Sequence, residues 1–363
     1  MANKIQGSPK GIAPVPLSIL DVVFTGRGYA ATDAFQASIK LAKLADGRGF
    51  NRYWVAEHHG MPAVATSSPA ILLSRLIGET NHIRLGSGGM MLPNSPPLVI
   101  AEQFGMLEAL APGRIDLGIG RAPGTDRMTA AALRQGKVGV EDFPAHLDEL
   151  LHFLRDDFPN DHPYSNRVFA VPGPGQDKEN GLIRPLQYPP VWPLGSSGYS
   201  AQLAGQLGLP FAFAAQLAPE NLNLAFELYR KNFKPSEMLQ KPYTMACFAV
   251  FAAHNELEAY KQSRSFAHSM MRMMTGKSYL LLSPDEVDSY HYDDDESQII
   301  EMWHDKVIYG TPEQVVKKLN LLQNTTSADE LMIANVGYSL DANYNSVQLI
   351  ADQYKMPVFL KEK

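Results

Sequence analysis

Tyr53 to Gly60 reads Y-W-V-A-E-H-H-G, an apolar run that ends in a carboxylate, two adjacent histidines and a glycine. The chain has only 10 histidines, and His58 and His59 stand together where a buried strand emerges. Metal ligation, a base with its orienting partner, and a polar corner closing a strand all fit such a pair. Neighbouring side chains on a strand point to opposite sides, and no third or fourth ligand follows at usable spacing, which argues against a shared metal. A single imidazole turned to the strand mouth suits a general acid–base working near neutral pH. His58 is that candidate, with Glu57 and His59 fixing the loop; a hydrogen-bonded polar corner is the competing reading.

Gly195 to Ser200, G-S-S-G-Y-S, interrupts an apolar run and opens the helical pattern A-Q-L-A-G-Q-L-G-L. A helix N-terminus offers free N–H groups and a partial positive charge. Ser196, Ser197, Gly198, Tyr199 and Ser200 there make a phosphate seat, or serve as plain serine caps. Arg121, at the end of G-I-G-R, favours the phosphate, because an arginine beside such a helix start binds phosphate oxygens well. G-I-G-R-A-P-G is a poor dinucleotide fingerprint, since the third glycine position holds Pro123. Gly88 and Gly89, followed by Met90, sit inside an otherwise apolar run. Glycine weakens a strand unless something needs the space; a flat ligand close to the backbone, a strained peptide and a β-bulge are the alternatives. A phosphate seat, a strand stripped of side chains and a histidine at the mouth describe a site for flavin mononucleotide.

The elements that must carry these residues repeat with one period. Strands are expected at Val15–Phe24, Arg52–Glu57, Arg84–Met91, Ile115–Gly120, Val191–Gly195, Phe211–Ala214, Thr244–Phe251 and Glu330–Ala334, with helical patterns such as Asp33–Arg48 and Pro69–Glu79 between them. This alternation predicts an α/β protein, an eight-stranded (β/α) TIM-type barrel, with a doubly wound open sheet as the alternative. Residues 159–190, rich in Pro and Gly, read as an insertion before the fifth strand, and 255–310 as a second one near the C-terminal end. Residues 1–363 are taken as a single domain. Asp293–Glu296 lacks the spacing of a calcium loop and is expected to be a solvated acidic loop. Met270, Met271, Met273 and Met274 are expected in a helix core, or as a pliable wall for an apolar substrate.

Composition narrows the partners. The 363 residues are 45% hydrophobic and 19% charged with net charge −6, and no basic stripe with aromatics points to nucleic acid. The single cysteine, Cys247, lies in an apolar run and is expected to be buried and reduced. The N-terminal stretch, broken by Pro9, Pro14 and Pro16, lacks the apolar core of a signal peptide. No run is long enough to span a bilayer, so a cytoplasmic protein is expected.

Across nearly its whole length the chain resembles the bacterial luciferase-like flavin monooxygenases, in particular the single-chain luciferase-like oxidoreductases. The resemblance is carried by W-V-A-E-H-H-G, I-R-L-G-S-G-G-M-M-L-P, L-A-P-G-R-I-D-L-G-I-G-R, G-L-P at 208–210 and G-T-P-E-Q-V at 310–315. It implies a barrel that binds reduced FMN, or alternatively a deazaflavin, at its C-terminal mouth. It implies phosphate contacts from Arg121 and Ser197 to Ser200, a non-proline cis peptide at Gly88-Gly89 under the flavin ring, and assistance to the flavin chemistry from His58. The implied reaction is oxygenation of a small organic substrate by O2 through a flavin hydroperoxide. Reduced FMN would come from a separate NAD(P)H-dependent flavin reductase, and the implied assembly is a homodimer. Gly120 departs from the pattern, since light-emitting members carry a reactive cysteine there; ordinary oxygenation is the expectation. A deazaflavin-dependent dehydrogenase and a non-catalytic flavin-binding protein are the rival readings.

Overall fold

The computed structural model describes residues 5–134, 142–183 and 185–359. Its strands are β1 Leu17–Asp21, β2 Arg52–Val55, β3 Arg84–Met91, β4 Ile115–Gly120, β5 Val191–Gly195, β6 Phe211–Ala214, β7 Thr244–Ala252, β8 Ile308–Gly310 and β9 Glu330–Asn335. The first helices are α1 Ala31–Gly47, α2 Pro69–Ile77, α3 Pro97–Leu110, α4 Arg127–Arg134, α5 Phe143–Arg155, α6 Pro174–Glu179 and α7 Gly198–Gln206. After them come α8 Leu222–Asn232, α9 Glu256–Met274, α10 Pro284–Asp288, α11 Asp294–His304, α12 Pro312–Thr326 and α13 Leu340–Gln353.

Neighbouring strands run β6-β5-β4-β3-β2-β1-β9-β7, all parallel, and β6 pairs β7 to close the ring. That closure is the (β/α) barrel the alternation predicts, and it rules out the open sheet. A strand covered on both faces reads as a continuous apolar run rather than an alternation. β7, T-M-A-C-F-A-V-F-A, is buried at every position, Cys247 included.

The N-terminal end of the barrel is closed by buried charges. Arg52 opens β2, Arg84 opens β3 and Glu330 opens β9. Arg52 bridges Asp116 at 2.8 Å and Glu330 at 3.0 Å, while Arg84 meets Asp116 at 2.6 Å. Tyr243 Oη donates to Glu330 at 2.8 Å, Ser18 donates to the same carboxylate, and Arg52 also donates to the carbonyl of Ile5. Burying charge is costly unless partners and hydrogen bonds are complete; here each carboxylate has several donors. His58, Arg121 and the serine-rich turn lie at the opposite, C-terminal end of the strands.

Several expected boundaries move. β1 and β2 stop at Asp21 and Val55, so Val22–Phe24 and Ala56–Glu57 belong to the loops of the mouth. The 255–310 stretch holds α9, α10 and α11 and ends in β8, which pairs with the end of β7 outside the eight-stranded ring. The acidic run is not a solvated loop. Asp293 caps α11, its side chain accepting from Glu296 N, and the carboxylates that follow fill the first turn, where the helix dipole favours them. Glu296 is buried and pairs with Lys277. Met270 and Met271 are core, whereas Met273 and Met274 are 41% and 53% exposed.

Candidate functional site

At the C-terminal end of β2 the Glu57 carboxylate fastens loops from neighbouring strands. Its Oε2 accepts from Met91 N at 2.9 Å, and its Oε1 accepts from Asn94 Nδ2 at 3.0 Å with His59 Nε2 2.9 Å away. Asn94 Nδ2 also donates to the carbonyl of Pro123 at 2.9 Å, and Thr125 Oγ1 donates to the carbonyl of His59 at 2.5 Å. The loops carrying His58, Met91 and Arg121 are thereby tied together. Glu57 and His59 do fix the loop, as the sequence suggested. Asn94 and Thr125 went unnoticed in the sequence; the only sign of Asn94 is a polar residue in L-P-N-S-P-P directly after β3.

His58 is set free by this arrangement. The residue is half-buried, and its Nδ1 is buried with no hydrogen-bond partner among the described residues. Burial pushes its pKa down to about 4; the Glu57 carboxylate opposes this and His59 adds slightly to it. That direction favours the neutral imidazole, which can donate or accept a hydrogen bond. An anion bound beside it would raise its pKa again.

On the adjacent strand ends, Arg121 and the serine-rich turn come together. The Arg121 guanidinium lies over the Tyr199 ring, 4.4 Å from its centroid. It makes no salt bridge among the described residues. Ser197 is the N-cap of α7 with extended backbone, φ −143°, yet its side chain accepts no hydrogen bond from the helix. Plain capping therefore does not explain this serine. Ser197 and Tyr199 are exposed, Ser196 and Gly198 half-buried, and Ser200 is buried. Gly198 opens the helix where α8 packs close, since a Cβ there would come 2.7 Å from Leu228 Cδ1. The first N–H groups of α7 and an unpaired guanidinium suit the phosphate of a nucleotide.

Gly88 and Gly89 lie on β3 between these two features. Their peptide bond is cis, and the pairing of β3 with β4 slips between Ser87 and Met90, an irregularity of the bulge type. The barrel itself explains both glycines. A Cβ on Gly88 would stand 2.5 Å from Leu20 Cδ1, and one on Gly89 2.5 Å from Leu194 Cδ1 and 2.8 Å from the carbonyl of Gly118. A ligand is thus not needed to account for them, and Gly89→Val would disturb packing before it touched any ligand. Met90 is buried and pairs with Ile119. A cavity of about 710 Å³ lies elsewhere, between α1 and α13, and touches neither His58 nor Arg121.

The features that fit a flavin nucleotide are thus the phosphate seat and the unpartnered His58 nitrogen. Comparison with known proteins agrees with the barrel fold. The family model described as luciferase-like monooxygenase matches residues 17–328. A luciferase-like monooxygenase of Escherichia coli (strain K12) is 40% identical over 339 residues, 93% of this chain and 96% of that protein. The N-acetyl-S-alkylcysteine monooxygenase of Bacillus subtilis (strain 168) is 36% identical over 344 residues, 93% of this chain and 98% of that protein. The crystal structure of apo-MsnO8 superposes with a TM-score of 0.81 at 31% identity, covering 95% of this chain and 98% of that one.

Proposed function

Because the chain belongs to the luciferase-like monooxygenase family, we propose that it is a flavin-dependent oxygenase that uses reduced FMN and dioxygen to oxygenate a small organic substrate. The observation that carries the cofactor reading is Arg121, free of any salt bridge among the described residues, beside the uncapped start of α7. A phosphate there would meet a guanidinium, free helix N–H groups and the hydroxyls of Ser196, Ser197 and Ser200. Gly88, Gly89 and Met90, one strand over from Arg121, would then lie along the ring. Bound reduced FMN would supply the electron pair for dioxygen, one oxygen atom going to the substrate and the other leaving as water.

The chain's own part is to bind, to orient and to keep water out. His58, neutral at pH 7 and partnerless at Nδ1, would hold or pass a proton beside the reacting centre. Glu57 keeps the His58 loop in register with the Arg121 loop. Reduced FMN would be delivered by a separate NAD(P)H-dependent reductase, and the working assembly would be a homodimer. The name of the B. subtilis relative puts N-acetyl-S-alkylcysteines first in a substrate panel.

Arg121→Ala tests the cofactor reading. Loss of a charge-assisted contact of roughly 1.5–3 kcal/mol should weaken FMN about 10- to 100-fold, with riboflavin, which has no phosphate, unaffected. Fluorescence titration of both flavins, with a deazaflavin cofactor in parallel, reads this directly. Equal losses for FMN and riboflavin would remove the phosphate seat from the molecule.

A further inference from the structure

Thr25 lies four residues beyond the end of β1, and its Oγ1 is buried without a hydrogen-bond partner among the described residues. That is also the condition of His58 Nδ1, and the two loops are stitched together. Thr25 N donates to the carbonyl of Ala63 at 2.8 Å, Ala65 N to that of Val23 at 3.0 Å, and His58 N to that of Thr66 at 3.2 Å. Phe24 and Val64 form an antiparallel bridge in the same seam.

The chain reaches this position through an uncomfortable turn. Val23 has φ +56°, a left-handed conformation that a β-branched residue rarely adopts. Asp21 holds it there: Oδ1 accepts from Val23 N at 2.8 Å, while Oδ2 accepts from Ser38 Oγ and Tyr53 Oη, both at 2.5 Å. The carboxylate is thus anchored to α1 and β2 while it fixes the first residues of the mouth. Beyond the turn, Phe24 packs on Tyr279 with centroids 6.0 Å apart, and Arg27 N donates to the carbonyl of Leu281 at 2.8 Å. Strain held by several contacts, next to a buried hydroxyl with nothing to bond, is costly in a ligand-free protein.

We propose that Thr25 Oγ1 is a hydrogen-bonding contact to the ring system of the bound flavin, beside His58, and that the Asp21–Val23 turn is the device that positions it. This rests on the flavin reading above. Strand order supports the ring rather than the phosphate end. The phosphate seat is at β4 and β5 and Thr25 at β1, so about three strand spacings of ~4.8 Å separate them around the mouth. A ligand with its phosphate and its ring at opposite ends of a sugar-alcohol chain can bridge such a span. A hydroxyl both donates and accepts, and a flavin ring edge offers groups of both kinds.

The test is Thr25→Val, which keeps the shape and deletes the hydroxyl, with Thr25→Ser as the conservative control. FMN and riboflavin are titrated by fluorescence quenching, and thermal unfolding is followed without ligand. Thr25→Val should bind both flavins about five- to ten-fold more weakly, the loss of roughly one hydrogen bond, while Thr25→Ser stays near wild type. Ligand-free Thr25→Val should also melt higher, because an unsatisfied buried hydroxyl is gone. A purely structural threonine gives the opposite pattern, a lower melting temperature with unchanged affinities, and that result overturns the proposal. Unchanged affinities in Thr25→Val while Arg121→Ala still loses FMN would sink the Thr25 contact alone. Failure of wild type to bind either flavin would sink the flavin reading and this proposal with it.

Discussion

Burial of an unpartnered imidazole should make the protein sensitive to acid in a defined window. In the folded chain His58 titrates at about 4, against an ordinary value of 6.5. The folded state therefore binds fewer protons than the unfolded state between these values, so stability is intact above about pH 6.5 and falls as pH drops toward 4. A shift of ~2.5 pKa units at ~1.36 kcal/mol each gives a full effect of about 3.4 kcal/mol, of which about 3 kcal/mol develops between pH 7 and pH 4. That is a large share of a typical stability of ~5–15 kcal/mol. His268, also lowered to about 4, chiefly by burial and then by Arg272, acts in the same direction. Asp21, raised by burial, has the opposite sign, since its folded form holds its proton more tightly. Replacing His58 by Gln removes one of these terms and leaves the others. Urea unfolding at pH 7 and at pH 4 should show a drop smaller by about 3 kcal/mol in His58→Gln than in wild type. Comparing the two drops cancels any effect of the substitution that does not depend on pH. If both proteins lose the same stability, the His58 ring is solvated or partnered in solution, and its assignment as a neutral, waiting imidazole is wrong.

Two further expectations concern the scaffold. Glu330→Ala leaves Arg52 at the floor of the barrel with one carboxylate partner in place of two, and should destabilise by about 3–5 kcal/mol in urea unfolding; a loss under about 1 kcal/mol would mean that water takes over the carboxylate's role. Asp293→Ala removes the bond that caps α11 and should cost roughly 1 kcal/mol, whereas no change would return the acidic run to the solvated loop first expected of it.

Much of this molecule is local in origin and therefore legible in its residues. β3, β4, β5 and β6 lie at the bounds the sequence predicts, because strands covered on both faces are apolar over most of their length and end at turn residues. The start of α7 is likewise local: a helix beginning at Gly198 after a serine pair leaves its first N–H groups free whatever else surrounds it. Closure was inferable from the number of strands, and the pairing of β6 with β7 completes it.

What only the tertiary structure decides is which groups are paired and which are stranded from water. His58 looks like a neutral-pH acid–base in sequence; its low pKa comes from neighbours folded over it from elsewhere in the chain. Gly88 and Gly89 look made for a ligand, yet the atoms that crowd them belong to Leu20, Leu194 and Gly118, close only once the barrel shuts. β8 spans only Ile308–Gly310, too short for an apolar run to announce, and it exists through pairing with the end of β7. Thr25 carries no motif at all. Its hydroxyl becomes conspicuous only when a turn held by Asp21, 2.8 Å from Val23 N, places it where no described residue reaches it. Propensity and apolar pattern act over a few residues and so can be read along the chain, whereas desolvation and hydrogen-bond satisfaction depend on which distant segments meet and arise only on folding.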